Sequence, residues 1–121
     1  MSITNNVNNS LLIKIIEKSI FTKRQIQIIY KIYNKEERLK EISSGAYYRE
    51  VKQCKYKIRK LYYSFILLNL MEILDKEQLI TLSSVVDKLN RIQNNHDKHH
   101  DINIESVIDI IEQLLDKMLL R

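Results

Sequence analysis

The chain has 121 residues with one Gly, no Pro, one Cys and no Trp, and its formal net charge is +5. A chain of this length predicts a single domain, the single Gly excludes a Gly-rich phosphate-binding loop, and the single Cys excludes a disulfide framework or a Cys-based zinc site. No apolar run approaches ~18 residues, so we expect no transmembrane helix. The uncharged start MSITNNVNNS differs from the basic start of a signal peptide. We therefore expect a soluble cytoplasmic protein.

The charge is concentrated in the middle of the chain. Residues 23–62 hold twelve Lys or Arg against four Glu, whereas residues 63–121 hold six basic against ten acidic residues. Positive charge clustered in this way attracts polyanions such as nucleic acids. The alternative is a Lys-rich helical surface that only faces solvent.

The hydrophobic spacing predicts an all-α fold of five to six helices, and the first two are well delimited. Residues 9–19 and 22–33 carry apolar side chains at intervals of three and four, as one face of a helix requires. Ser10 and Thr22 are the predicted N-caps, and Asn34 is the predicted break after the second helix.

A short third helix is predicted over residues 35–42, with Leu39 and Ile42 pointing inward. The next three residues, 43–45, have the sequence SSG and form the only turn-like tripeptide of the chain. We therefore predict a tight turn at residues 43–45, immediately before the longest helix.

That longest helix is predicted over residues 46–74, a length of about 43 Å at 1.5 Å per residue. Its first half is basic, and its second half, SFILLNLMEIL, is almost purely apolar. We expect the first half to be solvated or bound to a charged partner and the second half to be buried on several sides. A continuous heptad stripe is predicted to face inward: Tyr47, Val51, Cys54, Ile58, Leu61, Phe65 and Leu68.

Two more helices are predicted, over residues 76–93 with Asp75 as N-cap and over residues 104–120 starting at Asn103. The apolar stripe of the last helix either completes the core of the chain itself or forms a homodimer interface, and both interpretations stay open. The stripe consists of Ile104, Val107, Ile108, Ile111, Leu114, Leu115 and Met118. Within the single domain, residues 21–63 are the predicted DNA-binding part and residues 64–121 supply the core and oligomerisation helices.

The long helix presents a basic and aromatic surface opposite its heptad stripe. Arg and Lys bind phosphates, while Arg and Gln also read base edges in the major groove. We predict that specificity comes from Arg49, Lys52, Gln53, Tyr56 and Arg59, and that phosphates are held by Lys23, Arg24, Lys55, Lys57 and Lys60. The alternative is a solvated surface on which Lys stems cover apolar area.

Residues 21–63 carry the segments FTKRQIQIIYKI, SSGAYYR and KQCKYKIRKL. In this order they resemble helix-turn-helix DNA-binding proteins, particularly the small basic ones of archaea and their viruses. The resemblance implies a homodimer in which a tight turn directs the following helix into the major groove. It places nearest to DNA the residues Ser43, Ser44, Tyr47, Tyr48, Arg49, Lys52 and Gln53. The heptad stripe instead turns Tyr47 inward, and the tripeptide SSG could equally be a plain helix–helix connection.

Catalytic chemistry finds little support in the sequence. His96, His99 and His100 lie close together but in a predicted polar loop, so they are weak candidates for metal ligands. Cys54 lies on the inward stripe, where a thiol acts as a small apolar side chain. The spacing shows no nucleophile–base arrangement. We predict no enzyme activity, no metal and no cofactor.

The sequence therefore predicts a protein that binds double-stranded DNA, as a transcriptional regulator or as a chromatin or replication accessory factor. The alternative is a helical subunit of a larger nucleic-acid-processing assembly, with a protein partner on the acidic C-terminal half. RNA binding is disfavoured because the Tyr side chains lie on a helix rather than on a platform where bases stack.

Overall fold

The computed structural model describes residues 10–94 and 103–119, and it confirms the all-helical prediction. Within these residues no helix is long and apolar enough to cross a membrane. The chain divides into two compact units, the N-terminal unit Met1–Ile66 and the C-terminal unit Leu67–Arg121, and the single domain stays a prediction. The helices in chain order are α1 Ser10–Lys18, α2 Lys23–Tyr33, α3 Ser44–Leu70, α4 Lys76–Asn94 and α5 Ile104–Leu119.

Three of the predicted N-caps are confirmed. The Thr22 side chain accepts a hydrogen bond from the Gln25 backbone N–H at 3.1 Å, and the Gln25 side chain accepts one from the Thr22 N–H at 3.0 Å. Asp75 and Gln78 form the same reciprocal pair, at 2.9 Å for each bond. Asn103 accepts from the backbone N–H three residues further on, at 3.2 Å. Each pair satisfies donors that the first turn of a helix leaves without intrahelical partners.

The N-terminal unit has a core between α2 and the first half of α3. Ile28 and Cys54 are fully buried, and Tyr47 is nearly so. Ile16 of α1 forms the centre of a smaller cluster, with Ile26 of α2 packed against it. The inward direction predicted for the first half of the heptad stripe is therefore confirmed.

The predicted third helix over residues 35–42 is wrong, because this segment is an irregular connection. Lys35 has a left-handed backbone (φ 53°) directly after α2, which ends the helical path. The Arg38 guanidinium donates to the carbonyls of Leu39 and Ile42, both at 3.2 Å, and so satisfies acceptors that a helix would otherwise pair. Leu39 and Ile42 nevertheless pack on the core as predicted.

The predicted tight turn at residues 43–45 is also wrong, since α3 already begins at Ser44. The Ser43 side chain accepts from the Ala46 N–H at 3.2 Å, and its carbonyl accepts from the Tyr47 N–H at 2.9 Å. Gly45 therefore lies in the first helical turn, and its φ is not positive. The pattern SSG marks a helix start with Ser43 in the capping position.

The end of α3 comes at Leu70, four residues before the predicted end. Glu72 has a left-handed backbone (φ 60°), and its N–H donates to the Asn69 carbonyl at 3.1 Å. The Ile73 N–H donates to the Leu68 carbonyl at 2.9 Å. These two bonds form a Schellman motif, in which the left-handed residue redirects the chain and satisfies the last carbonyls of the helix.

The apolar second half of α3 is exposed, which contradicts the prediction that it is buried. Every residue from Arg59 to Ile73 is exposed, Phe65 at 44% and Leu70 at 76%. The physical reason is the limited reach of the core, because the buried cluster of the N-terminal unit includes α3 only as far as Cys54. The heptad pattern continues beyond that point without a surface that covers it.

In the C-terminal unit α4 and α5 lie side by side. The Gln78 side chain of α4 donates to the Met118 carbonyl of α5 at 3.5 Å. Ile108 is buried within the unit, whereas Leu115 on the same predicted stripe is exposed. The stripe of α5 is thus largely turned toward its own unit, with the other members half-buried. Its role in oligomerisation stays a prediction.

Candidate nucleic-acid interface

The basic surface of α3 lies opposite the side that packs on the core. Tyr47, Cys54 and Ile58 recur at spacings of seven and four on the covered side of the helix. Glu50, Val51 and Lys57 are half-buried at the border of that side. The outward, exposed side chains between residues 48 and 60 are Tyr48, Arg49, Lys52, Gln53, Lys55, Tyr56, Arg59 and Lys60. We call these eight residues the basic face.

The basic face contains no carboxylate. The only acidic residue within α3 is Glu50, which is half-buried and has its Oε2 atom shielded from solvent, without a hydrogen-bond partner. The salt bridges Lys14–Glu17, Lys31–Glu36 and Lys40–Glu37 lie outside this helix. The positive charges of the basic face are therefore not neutralised by neighbouring side chains.

Lys57 is the exception among the predicted phosphate ligands. Its ammonium donates to the Ile20 carbonyl and to the Gln25 side chain, both at 2.9 Å, and lies 6.0 Å from the Phe21 ring centroid. These contacts fasten α3 to the turn between α1 and α2. The Lys57 ammonium is therefore used in hydrogen bonds within the protein, and we do not count Lys57 among the phosphate ligands.

Two tyrosines give the basic face an aromatic component. The Lys60 ammonium lies 5.1 Å from the Tyr56 ring centroid, a cation–π contact that holds both side chains at the surface. The Tyr48 ring and the buried Tyr47 ring form a T-shaped contact, with centroids 5.3 Å apart and an angle of 79° between the ring planes. Tyr48 and Tyr56 are each 60% exposed. Their hydroxyls can donate to phosphate oxygens, and their rings can pack on sugars.

Cys54 and Tyr47 are buried titratable groups behind the basic face. Burial raises the pKa of the Cys54 thiol, and the nearby Glu50 carboxylate adds to the effect. Burial likewise raises the pKa of Tyr47, with Tyr48 as the next cause. The Cys54 thiol donates to the Gln25 carbonyl at 3.8 Å. A raised pKa disfavours the thiolate that a cysteine nucleophile requires.

The other predicted DNA-binding residues lie at two helix starts of the same unit. Lys23 and Arg24 are in the first turn of α2, and Ser43 and Ser44 are at the start of α3, where all four are exposed. Ser43 is already occupied as a cap, as described above. The structure places these residues on separate elements and leaves their part in DNA binding a prediction.

Sequence reasoning missed the two cations that hold the basic face in place. Arg38 fixes the connection before α3, and Lys57 fixes the middle of α3 against Ile20 and Gln25, more than thirty positions earlier. No local pattern separates Lys57 from the exposed Lys55 beside it. Only the inward helical register of Lys57, next to Cys54 and Ile58, could have indicated its position.

The weak metal candidates His96, His99 and His100 lie outside the described residues. Among residues 10–94 and 103–119, no group of three or more His, Cys, Asp or Glu side chains is placed to hold a metal ion. Comparisons with family models, curated sequences and solved structures find no match to this chain. The functional argument therefore rests on the basic face itself.

Proposed function

We propose that this protein binds double-stranded DNA by placing the basic face of α3 in the major groove. It would act as a cytoplasmic transcriptional regulator or as a chromatin or replication accessory factor. One observation carries the proposal: an exposed helical surface with five cations and no carboxylate. Such a surface is the electrostatic footprint of a nucleic-acid-binding protein.

The dimensions of the basic face suit a groove. Arg49 and Arg59 are about 15 Å apart along the helix axis at 1.5 Å per residue. The major groove of B-DNA is about 12 Å wide and admits one α-helix. Cations near both ends of the face can therefore meet the phosphates on the two sides of the groove, while the residues between them reach the base edges.

The roles divide by side-chain chemistry. Arg49 and Gln53 lie one turn apart and can read guanine and adenine, respectively, through paired hydrogen bonds. Lys52, Lys55 and Lys60 supply point charges for phosphates, and these contacts carry affinity without sequence information. Arg59 can serve either purpose. The core of the N-terminal unit, which includes α3 as far as Cys54, supports the first part of the face, because recognition side chains need a rigid element.

The test is fluorescence anisotropy with a labelled duplex of roughly three helical turns, long enough for a dimer on two half-sites. The triple variant Arg49→Gln/Lys52→Gln/Arg59→Gln removes three cations from the face. Affinity should fall about a hundredfold at fixed salt, taking about 1 kcal/mol per lost charge-assisted contact. The slope of log affinity against log salt should decrease by about 2 to 3.

The matched control is Lys76→Gln/Lys88→Gln/Lys117→Gln, which removes the same net charge from exposed lysines of α4 and α5. It should leave the affinity within about threefold and the salt slope almost unchanged, because the lost charges make no phosphate contacts. An equal loss of DNA affinity in both triple variants would show that the binding depends on the net charge of the protein and not on the basic face. Absence of binding by the unmodified protein at about 50 mM salt would refute the proposal.

A second candidate is a helical subunit of a larger nucleic-acid-processing assembly. It is favoured by exposed aromatic and apolar side chains in the part of α3 that belongs to the N-terminal unit. Tyr62 and Tyr63 are 62% and 68% exposed, and Ile66 is 51% exposed. Exposed apolar surface of this kind is typical of protein docking sites. Tyr62→Ser/Ile66→Ser would then abolish co-purification with a protein partner but leave the anisotropy measurement unaffected.

A further inference from the structure

One line of side chains on α3 points away from the core of the N-terminal unit. Successive residues of an α-helix are rotated by about 100°, so residues seven positions apart lie almost in line, about 10.5 Å from each other along the axis. Tyr47 and Cys54 are related in this way on the buried side of α3. On the opposite side the same interval relates three exposed residues, Arg49, Tyr56 and Tyr63, and we call this line the midline of α3.

The two sides of the midline differ in chemistry from its centre. Lys52 and Arg59 are rotated from Tyr56 by about 40° to 60° in one direction. Gln53 and Lys60 are rotated by about the same angles in the other direction. All four of these side chains are exposed. The helix therefore offers an aromatic contact along its centre and polar or charged groups along both sides.

The ring of Tyr56 is held at the surface without being covered. The Lys60 ammonium lies 5.1 Å from the ring centroid, a cation–π contact that restrains both side chains. The Tyr56 side chain is nevertheless 60% exposed. Tyr63 is 68% exposed but lies beyond Lys60, the last cation of the basic face. Tyr56 is thus the midline tyrosine that has cations on both sides.

The major groove offers an aromatic ring one kind of apolar partner. With the basic face in the groove, as proposed above, the cationic sides of α3 meet the phosphates and the midline faces the base edges. These edges carry hydrogen-bond donors and acceptors and one apolar group, the C5-methyl group of thymine. The flat faces of the bases are stacked on each other in a duplex, so a tyrosine ring cannot pack on them there.

We propose that Tyr56 recognises thymine by packing its ring on the C5-methyl group in the major groove. The inference rests on the proposed DNA binding and assigns a base to one of the predicted specificity residues. Arg49 lies seven residues earlier on the same line. Because helix residues three to four positions apart contact successive bases, the preferred site holds a thymine about two base pairs from the guanine that Arg49 can bind.

The test removes one methyl group at a time from the bound DNA. A preferred duplex is first selected from a random-sequence pool with the full chain. Each thymine of that duplex is then replaced singly by deoxyuridine, which lacks only the C5-methyl group, and dissociation constants are measured by fluorescence anisotropy. Replacement of the thymine that Tyr56 contacts should weaken binding about fourfold, the effect of one lost methyl contact.

Two variants separate the ring of Tyr56 from its hydroxyl. Tyr56→Ala removes the ring and should bind the thymine and deoxyuridine duplexes equally. Tyr56→Phe keeps the ring and should retain the preference for thymine, because the methyl contact does not use the hydroxyl. The side chain is exposed, so both variants should keep the helicity of the unmodified protein by circular dichroism.

The matched control is Tyr62→Ala, in the same helix and at a side chain that is 62% exposed. Tyr62 is rotated by about 120° from Tyr56 around the helix axis and therefore does not lie on the midline. The Tyr62→Ala variant should show the same preference for thymine over deoxyuridine as the unmodified protein.

Four results would overturn the inference. Selection could enrich no sequence, or no single deoxyuridine could weaken binding by as much as twofold. The preference for thymine could persist in Tyr56→Ala, which would assign it to another residue, or disappear in Tyr56→Phe, which would assign it to the hydroxyl. DNA binding that depends on the cations of the basic face would survive each of these results. Equal binding of both duplexes by Tyr56→Ala, with the preference kept in Tyr56→Phe and Tyr62→Ala, supports the inference.

Discussion

The two units of this protein form helices equally well but bury them unequally. The N-terminal unit buries Leu11, Ile16, Ile28, Tyr47 and Cys54, whereas the described C-terminal unit buries one apolar side chain, Ile108. Helical spacing of apolar residues is present in both units. The difference shows that periodicity determines where a helix forms, while the number of elements that pack on it determines whether its apolar face is covered.

The units also differ in the polar contacts that join their elements. In the N-terminal unit Lys57 donates to the Ile20 carbonyl and to the Gln25 side chain at 2.9 Å. In the C-terminal unit the Gln78 side chain of α4 donates to the Met118 carbonyl of α5 at 3.5 Å, a longer bond. The basic face is thus built on a helix that two short hydrogen bonds join to the rest of its unit.

The largest difference between the units should appear when a core isoleucine is shortened. Ile28→Ala should lower the free energy of unfolding of the N-terminal unit by about 3 to 4 kcal/mol, because a fully buried side chain leaves a cavity among Tyr47, Cys54 and their neighbours. Ile108→Ala should cost about 2 kcal/mol, since its sparser surroundings can close around the gap. Hydrogen exchange read separately on α2 and on α5 measures both values.

The control for this comparison is Ile20→Ala, which truncates a side chain that is 54% exposed in the same unit. It should cost less than about 1 kcal/mol. A cost for Ile108→Ala that equals or exceeds that of Ile28→Ala would show that the C-terminal unit has a core of its own, and the contrast between the units would not hold.

The next largest effect is a difference in stability between variants of Lys55 and Lys57, two lysines of α3 that lie two positions apart. Lys57→Met keeps the apolar stem but removes both hydrogen bonds to the α1–α2 turn, so the free energy of unfolding should fall by about 1 to 2 kcal/mol. Lys55→Met removes an exposed charge and should leave the stability within about 0.5 kcal/mol. Chemical denaturation followed by circular dichroism measures the difference.

DNA binding should respond in the opposite order. Lys55→Met should weaken binding and reduce the salt slope by about 1, as expected for one phosphate contact. Lys57→Met should change the slope much less at a temperature where the variant is folded. A larger slope change for Lys57 than for Lys55 would contradict the structural position that we assign to Lys57.

The sequence was sufficient to predict most of the local structure. Apolar spacing located the helices, and the capping residues Thr22, Asp75 and Asn103 marked three helix starts, because caps depend on side chains only three positions away. The charge of the basic face was equally readable. Local chemistry determines these features, so a single sequence contains them.

Features that depend on distant contacts could not be predicted in this way. The heptad stripe continues through Phe65 and Leu68, yet the core ends before them, and periodicity does not report where a covering element stops. The internal bonds of Lys57 require knowledge of the α1–α2 turn. The connection over residues 35–42 depends on a left-handed Lys35 and on the Arg38 guanidinium, neither of which follows a sequence rule.

A smaller effect should appear at alkaline pH and be confined to the N-terminal unit. The pKa of the Cys54 thiol is raised above its ordinary value of 9.0 by burial, so the folded unit holds this proton more tightly than the unfolded chain. Its contribution to stability is fully present below about pH 9 and is lost as the pH rises toward the folded-state pKa. Denaturation at a series of alkaline pH values should show this loss.

The matched variant is Cys54→Ala, which removes the titrating group. Its stability should be lower at neutral pH, because a small cavity replaces the sulfur, but should fall less steeply above about pH 9. Tyr47 keeps its own raised pKa and contributes in the same direction above its ordinary value of 10.0. Identical alkaline slopes for the variant and the unmodified protein would exclude Cys54 as the cause.

The smallest effect concerns a feature that the two units share. Two residues after α2 Lys35 has φ 53°, and two residues after α3 Glu72 has φ 60°. Both helices use the Schellman arrangement, which normally contains Gly at this position. A side chain in this backbone region costs about 1 to 2 kcal/mol, part of which Gly gives back through its freedom in the unfolded chain. Lys35→Gly and Glu72→Gly should each stabilise their unit by about 0.5 to 1 kcal/mol relative to Lys35→Ala and Glu72→Ala. The alanine variants remove the same side chains without the conformational benefit, so the Gly–Ala difference isolates the backbone effect.

If α4 and α5 unfold independently of the first half of α3, hydrogen exchange should show the Lys35 effect in α2 and the Glu72 effect in the C-terminal unit. A gain that spreads equally over both units would show that they unfold together, which would weaken the contrast between a complete and an incomplete core.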